Sequence, residues 1–244
     1  MIKDTNFTNK HIKITNCDDS HIYINTNVIS LKISNCTNCT IFVGSASKVV
    51  SIDKCENCTI CLATNLLRIS NTIDSFIYSY VLQKPILYGD NRGLMLGPNN
   101  VFYSDMTQHL KNAKLAFNKT YFNIWTDPIV MNSYGENNQN EKSVFDIIHA
   151  KDFTRFISPF NNENVVFLCP KEYIDTILEH ELIMDKLKEL IKEANLFEEQ
   201  EKALHVAIQG YFREWLVTSG NIKHISDLIK LFYLLILTLT ILRI

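Results

Sequence analysis

No charge of one sign dominates this chain. Its 24 Lys and Arg residues stand against 26 Asp and Glu, a formal net charge of −2. Without a basic stripe there is no electrostatic footprint for nucleic acid. The opening residues, MIKDTNFTNKHIKI, contain no apolar core of the kind a secretory signal needs. The Asn-x-Thr triplets at Asn6, Asn35, Asn38, Asn57 and Asn118 then carry no glycosylation meaning, and the seven cysteines read as reduced cytosolic thiols. The apolar run from Leu231 to Ile241 falls short of the ~20 residues that span a bilayer, and Lys230 and Arg243 bound it closely. A buried or coiled-coil terminal helix is expected there, ahead of a truncated tail, with a membrane anchor last. The pairs Glu189/Glu193 and Glu198/Glu199 are accompanied by no His or apolar pocket signal, so they read as a solvated helix face and not as an acid–base dyad.

What the chain does have is a four-fold internal repeat. Its copies are IKITNCDDSHIYI (12–24), LKISNCTNCTIFV (31–43), VSIDKCENCTICL (50–62) and LRISNTIDSFIYS (67–79), offset by 19, 19 and 17 residues. Each holds two alternating apolar pairs joined by a polar corner. The first pairs are Ile12/Ile14, Leu31/Ile33, Val50/Ile52 and Leu67/Ile69; the second are Ile22/Ile24, Ile41/Val43, Ile60/Leu62 and Ile77/Ser79. Period-2 alternation in short β-branched runs means strands buried on one face. Strands repeated at this interval cannot bury their apolar faces alone; stacked coil on coil, they form a parallel β-helix. The intervening residues then face outward. Lys13, Lys32, Ser51 and Arg68 form one such column, and Tyr23, Phe42, Cys61 and Tyr78 another. The second is apolar for an outer surface, which requires a cover: a missing segment, the chain's own helices or a partner.

Cys36, Cys39, Cys55 and Cys58 have the spacing of a zinc ribbon. The repeat accounts for them differently. Cys36 and Cys55 fill the slot of Cys17 and Thr72, while Cys39 and Cys58 fill the slot of Ser20 and Ser75. Serine cannot replace a zinc thiolate, so a ladder of small buried residues is expected, with no metal and no cofactor.

Beyond the fourth copy, Pro85-Ile86-Leu87 and Leu94-Met95-Leu96 suggest a final irregular coil turned at Gly89, Gly93 and Gly97-Pro98. A short helix is expected over 105–116, with Met106, Leu110 and Leu115 on its apolar face. An anchored extended segment is expected over 121–131 around Trp125, and a polar linker over 132–143. Phe153, Phe156, Phe160 and Phe167 read as packing anchors. Two helices follow. The first begins after Pro170 and carries Ile174, Ile177, Met184, Leu187, Ile191 and Ala194; the second, about 198–218, carries Leu204, Ile208, Tyr211 and Trp215 and ends near Gly220. They read as an antiparallel hairpin suited to docking or oligomerisation. The domains expected are a β-helix over 1–103, a capping helix, extended segment and linker over 104–168, and a helical region over 169–244.

The repeat together with LLRISNTIDSFIYSYVLQKPILYG resembles the tubulin-binding cofactor C domain, or C-CAP/cofactor C-like, family. Downstream, 99–131, DFTRFISPF (152–160), CPKEYIDTILEHE (169–181), IKEANLFEEQEKALHVAI (191–208) and FREWLVTSGNIKHISDL (212–228) are similar to the centrosomal branch of that family, so that the likeness covers roughly residues 30–228. The resemblance implies a mostly β protein: a right-handed parallel β-helix followed by a helical hairpin. It also implies a cytoplasmic, cytoskeletal location at the centrosome, spindle pole or basal body. The N-terminal half expected of that branch is absent, which implies a fragment or an abbreviated form. Catalytic members of the family activate GTP hydrolysis with an arginine finger in a Gln-Gln-hydrophobic-Arg setting. The matching stretch is Asn65-Leu66-Leu67-Arg68, with Asn65 and Leu66 in place of the glutamines and Tyr88 where catalytic members have an acidic residue. The expectation is therefore a non-enzymatic adaptor supporting centrosome and Golgi positioning and cell shape. Its binding surface would include Arg68, Tyr23, Phe42, Tyr78 and Tyr88, and its partners would be centrosomal or cytoskeletal proteins. The rival is a GTPase-activating protein for tubulin or an Arf-like GTPase with Arg68 as finger; neither reading involves nucleic acid.

Overall fold

Ile14, Ile33, Ile52, Ile69, Leu87 and Val130 lie in register, one strand above the next, and the first five of them are buried. A second ladder, Ile22, Ile41, Ile60, Ile77 and Leu96, runs beside it. These inward columns are the axis of a parallel β-solenoid of about five turns, seen in a computed structural model that describes residues 10–101, 103–115, 118–131, 144–156 and 168–219. Each buried Ile or Leu contributes about 1.5–3 kcal/mol of transfer free energy, which a single coil could not capture. The expectations for Asn6, the linker 132–143, Phe160, Phe167, Gly220 and the apolar run 231–241 lie outside the described residues, as does the side chain of Trp215.

The strands are β1 (His11–Thr15), β2 (His21–Ser34), β3 (Thr40–Asp53), β4 (Thr59–Ser70), β5 (Phe76–Val81), β6 (Ile86–Tyr88), β7 (Leu94–Pro98), β8 (Ile129–Met131) and β9 (Phe145–Ile147). Every pairing between them is parallel. The second apolar pair of one copy and the first pair of the next are not separate strands, as the repeat suggests. They fuse into one strand of 14 residues in β2 and in β3, bent where the register shifts between Ile24 and Asn27 and between Val28 and Ser30. A bulge turns a strand without ending it, so this corner leaves little mark in the sequence. β8 and β9 add rungs beyond the repeat, β8 on β6 and β9 on β7.

The other corner is built from left-handed residues. Asn16 and Asp19, Asn35 and Asn38, Lys54 and Asn57, and Asn71 and Asp74 all have φ between 44° and 56°, and Gly89 and Gly93 take these places in the next coil. Asn and Asp tolerate this conformation better than other side chains, which explains why the sequence is so rich in Asn here. The triplets at Asn35, Asn38 and Asn57 are corner residues of this kind. Their amides also stack: Asn35 Nδ2 donates to Asn16 Oδ1 (3.1 Å) and Asn57 Nδ2 to Asn38 Oδ1 (2.7 Å). Between them sit the cysteines. Cys36 and Cys55 each donate to the carbonyl two residues back, as Thr72 does, and Cys39 and Cys58 do the same in the slot of Ser20 and Ser75. One geometric requirement therefore accounts for Cys, Ser and Thr alike. Among the described residues no group of three or more His, Cys, Asp or Glu is placed to hold a metal ion.

The chain divides into two compact units, Met1–His180 and Glu181–Ile244. In the first, α1 (Met106–Asn112) buries Met106 and Leu110 as its spacing predicts, and Leu115 is buried just beyond it. The stretch expected to be extended around Trp125 is instead a short 3-10 turn, Ile124–Thr126, which buries the indole and lets Nε1 donate to Phe122 O at 2.7 Å. Two helices follow as expected, α2 (Lys171–Glu193) and α3 (Glu198–Ser219), with Asn195 left-handed in the turn between them. Pro170 accepts the first amide bonds of α2, from Tyr173 and Ile174. Ile177 is buried in the first unit, and Tyr173 donates its hydroxyl to Ile148 O at 2.8 Å. In the second unit Leu182, Ile183, Leu187, Leu190, Phe197, Val206 and Tyr211 are exposed. No helix among the described residues is long and apolar enough to cross a membrane.

His109, in the last turn of α1, accepts or donates a bond to the Tyr103 hydroxyl at 3.1 Å. Burial holds its pKa below the ordinary 6.5, against the opposing pull of Asp105. The unfolded chain then binds more protons here than the folded one, so this stabilisation is complete above the ordinary value and is lost as pH falls through and below it. The melting temperature is expected to fall from pH 7.5 to 5.5 by more in the parent than in His109→Gln. Equal slopes would show that the imidazole titrates freely.

Candidate interaction face

The five residues expected to form a binding surface fall on two different walls of the solenoid. Tyr23, Phe42, Cys61, Tyr78 and Gly97 stack in one column on the first wall. This column is covered by the chain itself. Phe42 lies edge-on to Tyr103 with ring centres 5.5 Å apart and against Phe156 at 6.3 Å; Tyr78 packs on Phe153 at 6.0 Å. Asn99 Nδ2 reaches Cys61 Sγ at 3.4 Å and the carbonyl of Leu62 at 3.1 Å. Phe42 is fully buried and Tyr78 is 6% exposed, so both are core residues and not parts of a docking surface. Enclosure pushes the Cys61 thiol up to about 12 and raises Tyr103 as well. Tyr23 remains half-buried, edge-on to Phe156, its hydroxyl also raised by burial.

Arg68 and Tyr88 occupy the other wall. There two neighbouring columns stack: Lys13, Lys32, Ser51, Arg68, Ile86 and Ile129 in one, and Thr15, Ser34, Asp53, Ser70, Tyr88 and Met131 in the next, where Ser34 and Ser70 are buried. Lys13, Lys32 and Arg68 are exposed, and none of them enters an ion pair among the described residues. The guanidinium of Arg68 has no hydrogen-bond partner there either. Tyr88 is 40%, Ile129 47% and Met131 59% exposed, so the wall changes from cationic to apolar along its length. Asp53 is the carboxylate of these columns. Burial raises its pKa, but hydrogen bonds from Asn71 and Ser70, with Lys54 and Lys32 nearby, pull it further down, so it stays ionised and turned sideways.

The neighbours that would steer Arg68 are occupied or apolar. Asn65 accepts a bond from Gln83 Nε2 at 3.3 Å, Leu66 is half-buried, and Tyr88 sits one strand beyond Ser70. Ile86 and Leu87 are legible as part of a further coil, but two adjacent apolar residues do not say which of them faces outward. Ile129 and Met131 are not legible, because a long non-repeating stretch separates them from the last copy and no spacing marks them as another rung.

The family model of tubulin binding cofactor C matches residues 9–128. The chain is similar to TBCC domain-containing protein 1 of Rattus norvegicus, 26% identical over 90% of this chain and 38% of that protein. The same protein of Homo sapiens is 24% identical over 90% of this chain and 39% of its own length. The chain thus spans about two fifths of the length of these two relatives. Among solved structures, Tubulin Binding Cofactor C from Leishmania major aligns with 55% of this chain and 87% of its own, at 11% identity and a TM-score of 0.46.

Proposed function

Taking residues 9–128 as a domain of the tubulin binding cofactor C family, we propose that the chain is a cytoskeletal adaptor without GTPase-activating chemistry. It works at the centrosome, spindle pole or basal body and supports centrosome and Golgi positioning and cell shape. The outer wall bearing Arg68 and Tyr88 is its docking face. The observation that carries this reading is the setting of Arg68. A finger needs its guanidinium held to within a fraction of an ångström of the transferring phosphoryl group. Here no side chain among the described residues orients it, and the position one strand on from Ser70 is a phenol and not a carboxylate. A guanidinium that is exposed and unheld suits recognition of an acidic or carbonyl-rich surface.

Tagged protein at native expression is expected to concentrate at a centrosome or basal-body marker; diffuse staining would sink the reading. A second reading, activation of GTP hydrolysis on tubulin or an Arf-like GTPase, is favoured by the outward, unengaged guanidinium itself. Phosphate release from GTP-loaded tubulin or Arf-like protein decides between them. The adaptor reading expects no acceleration, and the same rate with Arg68→Ala. Acceleration of several hundred-fold or more, lost on substitution, would replace it with the catalytic one.

A further inference from the structure

Resting on the docking reading, we infer that this wall takes an extended partner segment that is acidic at one end and apolar at the other. The column Lys13, Lys32, Ser51, Arg68, Ile86 and Ile129 is a single line of outward side chains, one from each successive strand. Its first four places hold three exposed cations and a hydroxyl, and its last two hold aliphatic residues. Tyr88 and Met131 widen the apolar end, and both are exposed. Strands lie about 4.8 Å apart, so the line is roughly 24 Å long, the reach of an extended segment of about seven residues.

Charge complementarity selects the occupant. Three cations without ion-pair partners among the described residues, spaced along a rigid sheet, attract carboxylates at little cost in ordering. The neighbouring acid, Asp53, accepts hydrogen bonds from Ser70 and Asn71; Lys32 interacts with it electrostatically without a direct ion pair, so its ammonium can still meet a partner's carboxylate. At the other end, exposed Tyr88, Ile129 and Met131 make a patch that aliphatic or aromatic anchors would dry. A purely acidic strand would leave that patch wet, and a purely apolar one would leave the cations unmatched.

The test uses the full chain and fluorescein-labelled ten-residue peptides, read by anisotropy. One peptide pairs four glutamates with Leu-Phe-Leu, and a second has the reverse order, since the column sets the two ends but not the direction of the chain. Controls replace the glutamates by glutamine or the apolar residues by serine. Binding by at least one mixed peptide is expected, about tenfold tighter than by either of its controls, and weakened several-fold as salt rises from about 50 to 200 mM. Lys13→Glu with Lys32→Glu should weaken it about tenfold or more, and Ile129→Ser about threefold or more, with circular dichroism unchanged. No binding by either mixed peptide overturns the inference. So does equal binding by the all-polar acidic control, which would mark a general polyanion strip. Localisation tests the adaptor reading without any peptide, so a chain that reaches its marker yet ignores the mixed peptides overturns only this inference.

Discussion

Replacing Phe42 by alanine is expected to remove about 3–5 kcal/mol of unfolding free energy, although the ring points away from the solenoid axis. Its alternation places it outward, between Tyr23 and Cys61 in the column. The ring is nonetheless fully buried between Tyr103 and Phe156. Truncation leaves a cavity bounded on one side by the sheet, whose hydrogen bonds keep it from collapsing, and on the other by segments held through Asn99 and Asn100. Tyr23→Ala should cost clearly less, since Tyr23 is only half-buried. Urea unfolding of the two variants measures the difference. A loss below about 1 kcal/mol for Phe42→Ala would mean that the cover rests loosely on the wall.

The second large effect is expected at the left-handed corners. Asn38 has φ 54°, and its Oδ1 accepts from Asn57 Nδ2 at 2.7 Å. A β-branched side chain is strongly disfavoured there, so Asn38→Val should cost about 2–3 kcal/mol. Asn38→Gly loses the same side-chain bond without the steric strain and should cost no more than about 1 kcal/mol. The gap between the two isolates the conformational part from the ladder. Equal losses would show that the amide stack, and not the backbone, is what the corner needs.

Much of the solenoid is legible because each coil repeats the environment of the last. Ile33 and Ile52 meet the same neighbours, so alternation alone identifies them as inward. The cysteine slots are legible for the same reason: Ser and Thr appear in the places where a metal would demand thiolates. What sequence could not supply is contact between distant, non-repeating residues. Phe153 and Phe156 stand out as anchors, yet nothing local says that they close over Tyr78 and Phe42. Phe42 and Tyr78 therefore read as an outward column in need of a cover, with nothing in the sequence to say whether a partner or the chain itself supplies it. Ile129 and Met131 are a different case, since they look like ordinary extended chain until β8 is found on β6. Arg68 needed only the parity of its strand, whereas the outward place of Ile86 emerges from its pairing with Arg68.

The coils are not all the same length, and the first contraction enters at one identifiable place. Residues stacked at the Asn-rich corner are 19 apart between Asn16 and Asn35 and again between Asn38 and Asn57, while Ser75 stacks on Cys58 at 17; at the bend, Gln83 stacks on Asn65 at 18. The contraction enters at the bulged bend, where Ala46 pairs with Thr64 and Val49 with Leu66. Such a bend works as a tolerance joint. Residues can be gained or lost there over evolutionary time, by odd or even numbers, while every rung keeps its inside and its outside. Natural variants of this chain should therefore carry insertions and deletions at that bend, or at the glycine-turned corner where the offset widens from 18 at Ser70 and Tyr88 to 19 at Ile73 and Arg92, and the alignment of Lys32, Ser51 and Arg68 along the wall should survive them.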